Sequence, residues 1–122
     1  MKSKFITACV LASATLFASG VYAADQVRVA LLVKARGIGF FEAAYRGAEE
    51  AKKELGDVEI IYTGPTSTTA EGQIEIINSL IAQRVDVIAV SANDADALVP
   101  ALKKAQQRGI KAIFWVPGVG KE

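Results

Sequence analysis

An α/β fold built on a parallel sheet is the fold class this sequence predicts, and three observations predict it. Short apolar runs rich in β-branched residues alternate with longer stretches of helical period. The first run, Val27 to Val33, is broken only by Arg28 and lacks the strict alternation of a strand with one wet face, so it reads as a strand buried on both faces. Glycines stand where the helical stretches stop, at Gly56 and Gly109, each free to take the positive φ of a helix end.

Taken in order, the first strand is Val27–Lys34. A loop with Gly37 and Gly39 follows, and the pair Phe40-Phe41 opens a helix over Phe41–Leu55. Phe41, Ala44, Tyr45, Ala48, Ala51 and Leu55 share one face at helical spacing, while Glu49, Glu50, Lys52 and Lys53 form the wet side. The second strand is Val58–Thr63, turned by Gly64-Pro65. Thr68 and Glu71 have capping-box spacing for a helix over Ala70–Gln83, whose buried stripe is Ile74, Ile77 and Ile81 with Leu80 beside it. The third strand is Val85–Val90. Pro100 interrupts the next helical stretch, so a short turn over Asp96–Val99 is expected, then a helix with Pro100 in its first turn. Leu98, Ala101, Leu102 and Ala105 face inward. The fourth strand is Lys111–Trp115. Right-handed crossovers and this alternation give a flavodoxin-like strand order, 2-1-3-4, with strands one and three central. Val29, Leu31, Val87 and Ile88 are then expected to be deeply buried.

The first 23 residues read as a signal peptide. Lys2 and Lys4 form a basic start, Phe5–Gly20 is uncharged, and Val21-Tyr22-Ala23 suits cleavage before Ala24. A membrane anchor is the competing reading, but the segment is shorter than the ~20 apolar residues a spanning helix needs. The remaining 24–122 form one domain. Loss of Lys2 and Lys4 takes the formal net charge from +1 to −1, which gives no electrostatic case for nucleic acid. The single cysteine, Cys9, leaves with the leader, and there is no histidine. Disulfides, thiolate or histidine metal sites, a cysteine nucleophile and a Ser-His-Asp triad are excluded. Neither phosphate motif is complete. Gly37-Ile38-Gly39-Phe40-Phe41-Glu42 lacks the third glycine of a dinucleotide loop, and Gly118-Val119-Gly120-Lys121-Glu122 ends in Glu where a P-loop has Ser or Thr.

In an open parallel sheet, ligands bind beyond the carboxyl ends of the strands. That edge collects Lys34 and Arg36, then Thr63, Thr66 and Ser67, then Ser91, Asn93 and Asp94, then Trp115. Hydrogen-bonding groups, few charges and aromatic rings suit a polyhydroxylated ligand. Each also has a plainer role. Asn93 and Asp94 fit the cap of the third helix, Thr66–Thr69 fit a turn and cap, and Phe41 fits the core with Phe40 left facing the cleft.

The stretches VALLVKARGIGFFEAAYRGAEEAKKELG and IYTGPTSTTAEGQIEIINSLIAQRVDVIAVSANDADALVPALKKAQQRGIKAIFW, behind a leader, resemble the first lobe of the ribose-type periplasmic sugar-binding proteins. Within these the similarity is to the rhamnose-binding and autoinducer-2-binding branch, and it runs from Val27 to Trp115. The resemblance implies the first lobe of a type I periplasmic binding protein, an exported receptor of the periplasm or cell envelope. Its partners would be a small sugar and, in a full-length protein, the membrane subunits of an ABC importer. It implies no cofactor, no catalysis and no stable membrane insertion once the leader is removed. Lys34 would hydrogen-bond the ligand, Phe40 and Phe41 would form an aromatic wall, and Asn93 and Asp94 would line the floor. Two departures stand out. The branch continues its fourth strand as Trp-Asp-Ser-Asp, whereas here Trp115 is followed by Val116-Pro117-Gly118. The sequence also stops at Glu122, so an N-terminal fragment impaired in binding is expected. The alternatives are the effector domain of a sugar-responsive repressor, which would begin with a basic helix-turn-helix, and a small flavodoxin-like enzyme.

Overall fold

A computed structural model describes residues 25–115. The expected signal peptide, the P-loop-like tail and Val116 lie outside the described residues. The elements are β1 (Val27–Leu32), α1 (Gly39–Leu55), β2 (Val58–Thr63), α2 (Ala70–Ala82), β3 (Val87–Val90), α3 (Ala95–Gln107) and β4 (Lys111–Phe114). The strands pair in the order β2-β1-β3-β4, and every pairing is parallel. This is the order expected, and it brings all four carboxyl ends to one edge.

The core lies on one face of the sheet. Ala30 and Leu32 of β1 and Ile88 and Val90 of β3 pack with Ile77, Leu80 and Ile81 of α2 and with Leu98, Ala101, Leu102 and Ala105 of α3. Helix α1 takes the other face, on the β2 side, where Tyr45 stacks on Tyr62 with ring centroids 4.5 Å apart. This layering corrects one expectation. Of Val29, Leu31, Val87 and Ile88, only Ile88 is buried, and the other three are half-buried. Strand residues alternate between faces, and Val29, Leu31 and Val87 point away from α2 and α3. The far end of the α1 stripe is also uncovered, with Leu55 67% exposed.

Strand β1 ends at Leu32 and not Lys34, and β3 begins at Val87 and not Val85; the helices differ from expectation in three ways. Helix α1 starts at Gly39, two residues before the expected Phe41, and Ile38 at its N-cap offers no side-chain acceptor. Helix α2 is capped by Thr69 rather than Thr68, and the Thr69 hydroxyl accepts from the Gly72 N–H at 3.2 Å. Pro100 does not split α3, which is continuous from Ala95. The expected break is absent because a proline removes one N–H while both flanks of this one are anchored. On one side Asp94 caps the helix by accepting from the Ala97 N–H at 3.0 Å. On the other, Leu98, Ala101, Leu102 and Ala105 are buried, and Pro100 itself faces solvent.

Candidate functional site

The carboxyl edge is held together from beneath by Gln73. This residue sits four positions before Ile77 on the buried stripe of α2 and is 0% exposed. Its Nε2 donates to the carbonyls of Val33 at 3.0 Å and Ser91 at 2.9 Å. Its Oε1 accepts from the Asn93 N–H at 2.8 Å. One side chain therefore ties the end of β1 to the end of β3. A buried amide is tolerated there because its polar atoms are paired.

Asn93 adds a second tie above the first. Its Nδ2 donates to the Lys34 carbonyl at 2.9 Å and to the Thr69 carbonyl at 3.1 Å. The amide nitrogen is thus committed to the backbone. Lys34, half-buried at the end of β1, is joined to Asn93 by this contact. Asp94 is exposed beside them, with Oδ1 engaged in the α3 cap. The structure brings Lys34, Asn93 and Asp94 to adjacent strand ends.

The aromatic residues form a chain at the same edge. Phe40 is 60% exposed, whereas Phe41 is 5% exposed. The two rings meet edge-on at 5.3 Å, and Phe41 meets Trp115 edge-on at 5.8 Å. The Trp115 Nε1–H donates to the Ala89 carbonyl at 3.2 Å, which turns the indole back over β3. Phe41 therefore packs into the core behind Phe40, whose ring is exposed at the edge.

Gln73 and Ser91 were not singled out as scaffold in the sequence. A polar residue in register with Ile77 and Leu80 on an apolar helical stripe was the available signal for Gln73. Ser91 is fully buried, and its hydroxyl has no hydrogen-bond partner among the described residues. On the β2 side, the Tyr62 hydroxyl donates to Glu42 Oε1 at 2.8 Å. Burial, reinforced by Glu42, pushes the Tyr62 hydroxyl up to about 12, against a smaller opposing effect of Arg36.

Amides, an ammonium and an open aromatic face can hold a neutral polyhydroxylated molecule. Among the described residues no group of three or more acidic side chains is placed to hold a metal ion, and no helix is long and apolar enough to cross a membrane. A groove of about 680 Å³ lies at the opposite end of the sheet, lined in part by Arg84, Lys104 and Arg108. Its cations stand at the carboxyl ends of α2 and α3, where they complement the helix dipoles, so it needs no ligand to explain it.

Known proteins share this architecture. Residues 29–119 match the family described as periplasmic binding protein domain. The D-ribose/D-allose-binding protein of Pseudomonas aeruginosa is 34% identical over 112 residues, covering 88% of this chain and 34% of its own length. LsrB of Clostridium saccharobutylicum, solved in complex with AI-2, superposes with a TM-score of 0.72 at 31% identity, over 76% of this chain and 28% of its own. An ABC transporter solute-binding protein of Clostridium phytofermentas with bound L-rhamnose superposes with a TM-score of 0.68 at 37% identity, over 73% and 27%. These relatives are binding proteins rather than enzymes, and the chain spans only between about a quarter and a third of their lengths. With the 2-1-3-4 parallel sheet and a match over most of its length, the chain belongs to the periplasmic binding protein domain family.

Proposed function

We propose that this chain supplies one wall of a monosaccharide site in a periplasmic receptor for an ABC importer. The observation that carries the reading is the conjunction at the carboxyl edge. The open face of Phe40 stands by strand ends that Gln73 and Asn93 lock together, with Lys34 and Asp94 beside them. A sugar's C–H face packs on an aromatic ring, while its hydroxyls need donors and acceptors in fixed positions. The relatives support this, since those compared bind ribose or allose, rhamnose and AI-2. Their ligands differ, so the reading reaches the ligand class and not one particular sugar. The leader composition supports export, with Ala24 as the first residue of the mature protein.

A receptor of this kind gains affinity by enclosing its ligand between two walls. The described residues form one, so a sugar bound here keeps one side in water. Losing several hydrogen bonds at ~0.5–1.5 kcal/mol each, with the apolar burial, removes about 4–8 kcal/mol. At ~1.4 kcal/mol per decade a micromolar site becomes millimolar or weaker. Titration of the 15N-labelled chain with D-ribose, D-allose and L-rhamnose tests the reading. Saturable shifts confined to Lys34, Phe40, Asn93, Asp94 and the Trp115 indole are expected, at millimolar sugar. Absent or uniformly scattered shifts with all three sugars would overturn it.

A further inference from the structure

We propose that Tyr62 and Glu42 form a latch that sets the position of the β1–α1 loop, and so act as positioning residues for the sugar site without lining it. The inference rests on the sugar reading above and adds to it the residues that hold the loop.

The loop joins Lys34, just past β1, to the start of α1, where Phe40 stands in the first turn; through these two residues β1 and α1 reach the proposed ligand. It turns through Gly37, whose φ of +82° is a conformation that other residues seldom adopt. The start of α1 lacks the usual anchor, since Ile38 at the N-cap has no side-chain acceptor. Glu42, in the first turn, instead anchors the loop that leads into the helix. Its Oε1 accepts from the Gly37 N–H at 3.3 Å and from the Tyr62 hydroxyl at 2.8 Å. Tyr62 is in turn fixed on β2 by its stack with Tyr45, at 4.5 Å and 16°. A single carboxylate oxygen thus connects loop, helix and strand. Burial keeps the Tyr62 hydroxyl protonated to high pH, so the direction of donation toward Glu42 is fixed. Gly37 lies between Lys34 and Phe40, so holding it, together with the Asn93 tie to the Lys34 carbonyl, restricts where both can stand.

Three variants of the full chain test this. Tyr62→Phe keeps the ring stack and removes the O–H. Glu42→Ala removes the shared acceptor. Glu42→Gln keeps an Oε1 that accepts from both donors. The readouts are the hydrogen-exchange rate of the Gly37 amide, the D-ribose dissociation constant from the site-specific shifts, and the melting temperature. Loss of one hydrogen bond predicts Gly37 exchange about three- to tenfold faster in Glu42→Ala. It also predicts D-ribose binding weakened by a similar factor in Glu42→Ala and Tyr62→Phe, with both effects largely reversed in Glu42→Gln. A purely structural pair would lower the melting temperature and leave the D-ribose constant of the folded protein unchanged, and that result overturns the proposal. If the unmutated chain shows no site-specific shifts with any sugar, the sugar reading fails. The latch is then judged on Gly37 alone, and unchanged exchange in Glu42→Ala overturns it too.

Discussion

Replacing Gln73 by leucine should strip the carboxyl edge of its main fastening. The side chain is fully buried and pairs with three backbone groups, the Val33 and Ser91 carbonyls and the Asn93 N–H. Leucine fills a similar volume and pairs with none of them. Leaving a buried polar group unsatisfied costs about 1–3 kcal/mol. Taking the low end for each of three groups gives about 3 kcal/mol, and leucine's easier transfer from water offsets about 1 kcal/mol of it. A net loss of ~2 kcal/mol is a large part of the ~5–14 kcal/mol that holds together a domain of this size. At about 4–8 °C per kcal/mol, the melting temperature should fall by roughly 8–16 °C. Far-ultraviolet circular dichroism measures the transition, and emission from Trp115, the one tryptophan of the chain, reports the edge itself. Glu75→Gln, exposed on the same helix, is the control and should stay within about 0.5 kcal/mol of the parent. A Gln73→Leu protein melting within about 5 °C of the parent would refute the reasoning. It would mean that water or other groups satisfy the strand ends and that Gln73 is not their tie.

Pro100→Ala should stabilise the domain by about 1–2 kcal/mol, because an exposed proline inside α3 gives way to a residue that can donate to the preceding turn. The gain is reduced by the greater freedom of the unfolded chain; an unchanged or lowered melting temperature would show that the turn is already relaxed around Pro100. The Tyr62 hydroxyl is raised from its ordinary 10 to about 12 in the folded protein, by burial first and then by Glu42. Its contribution to stability is therefore fully present below pH 10 and is lost as pH rises from 10 through about 12. Denaturation midpoints measured across that interval should fall more steeply in the parent than in Tyr62→Phe, and equal slopes would contradict the assignment.

The expected fold and its strand order rest on features that act locally. Apolar β-branched runs, helical stripes and glycines at helix ends each select a backbone conformation without help from distant residues, and right-handed crossovers leave few ways to arrange them. The burial split between Phe40 and Phe41 was legible for the same reason, since Phe41 stands in register with Ala44 and Tyr45. Cap positions were less legible. Thr68 and Thr69 both offer a hydroxyl, and the choice depends on which one the Gly64–Thr69 turn aims at the Gly72 N–H. Pro100 misled because the penalty for a proline is local, whereas the burial that outweighs it comes from α2 and the sheet.

By itself, then, the sequence determined that a parallel α/β layer forms, which residues gather at its carboxyl edge, and that cysteine and histidine chemistry have no place there. The tertiary structure decided what those residues do. The hydrogen bonds that join Gln73 to Val33 and Ser91, Asn93 to Lys34 and Tyr62 to Glu42 span 18 to 59 positions along the chain, and no local period encodes such pairings. It also decided that the face carrying Val29, Leu31 and Val87 stays half-open. One helix, α1, lies on that face against α2 and α3 on the other, and how far a single helix covers a four-stranded sheet is set by side-chain packing between elements distant in the chain.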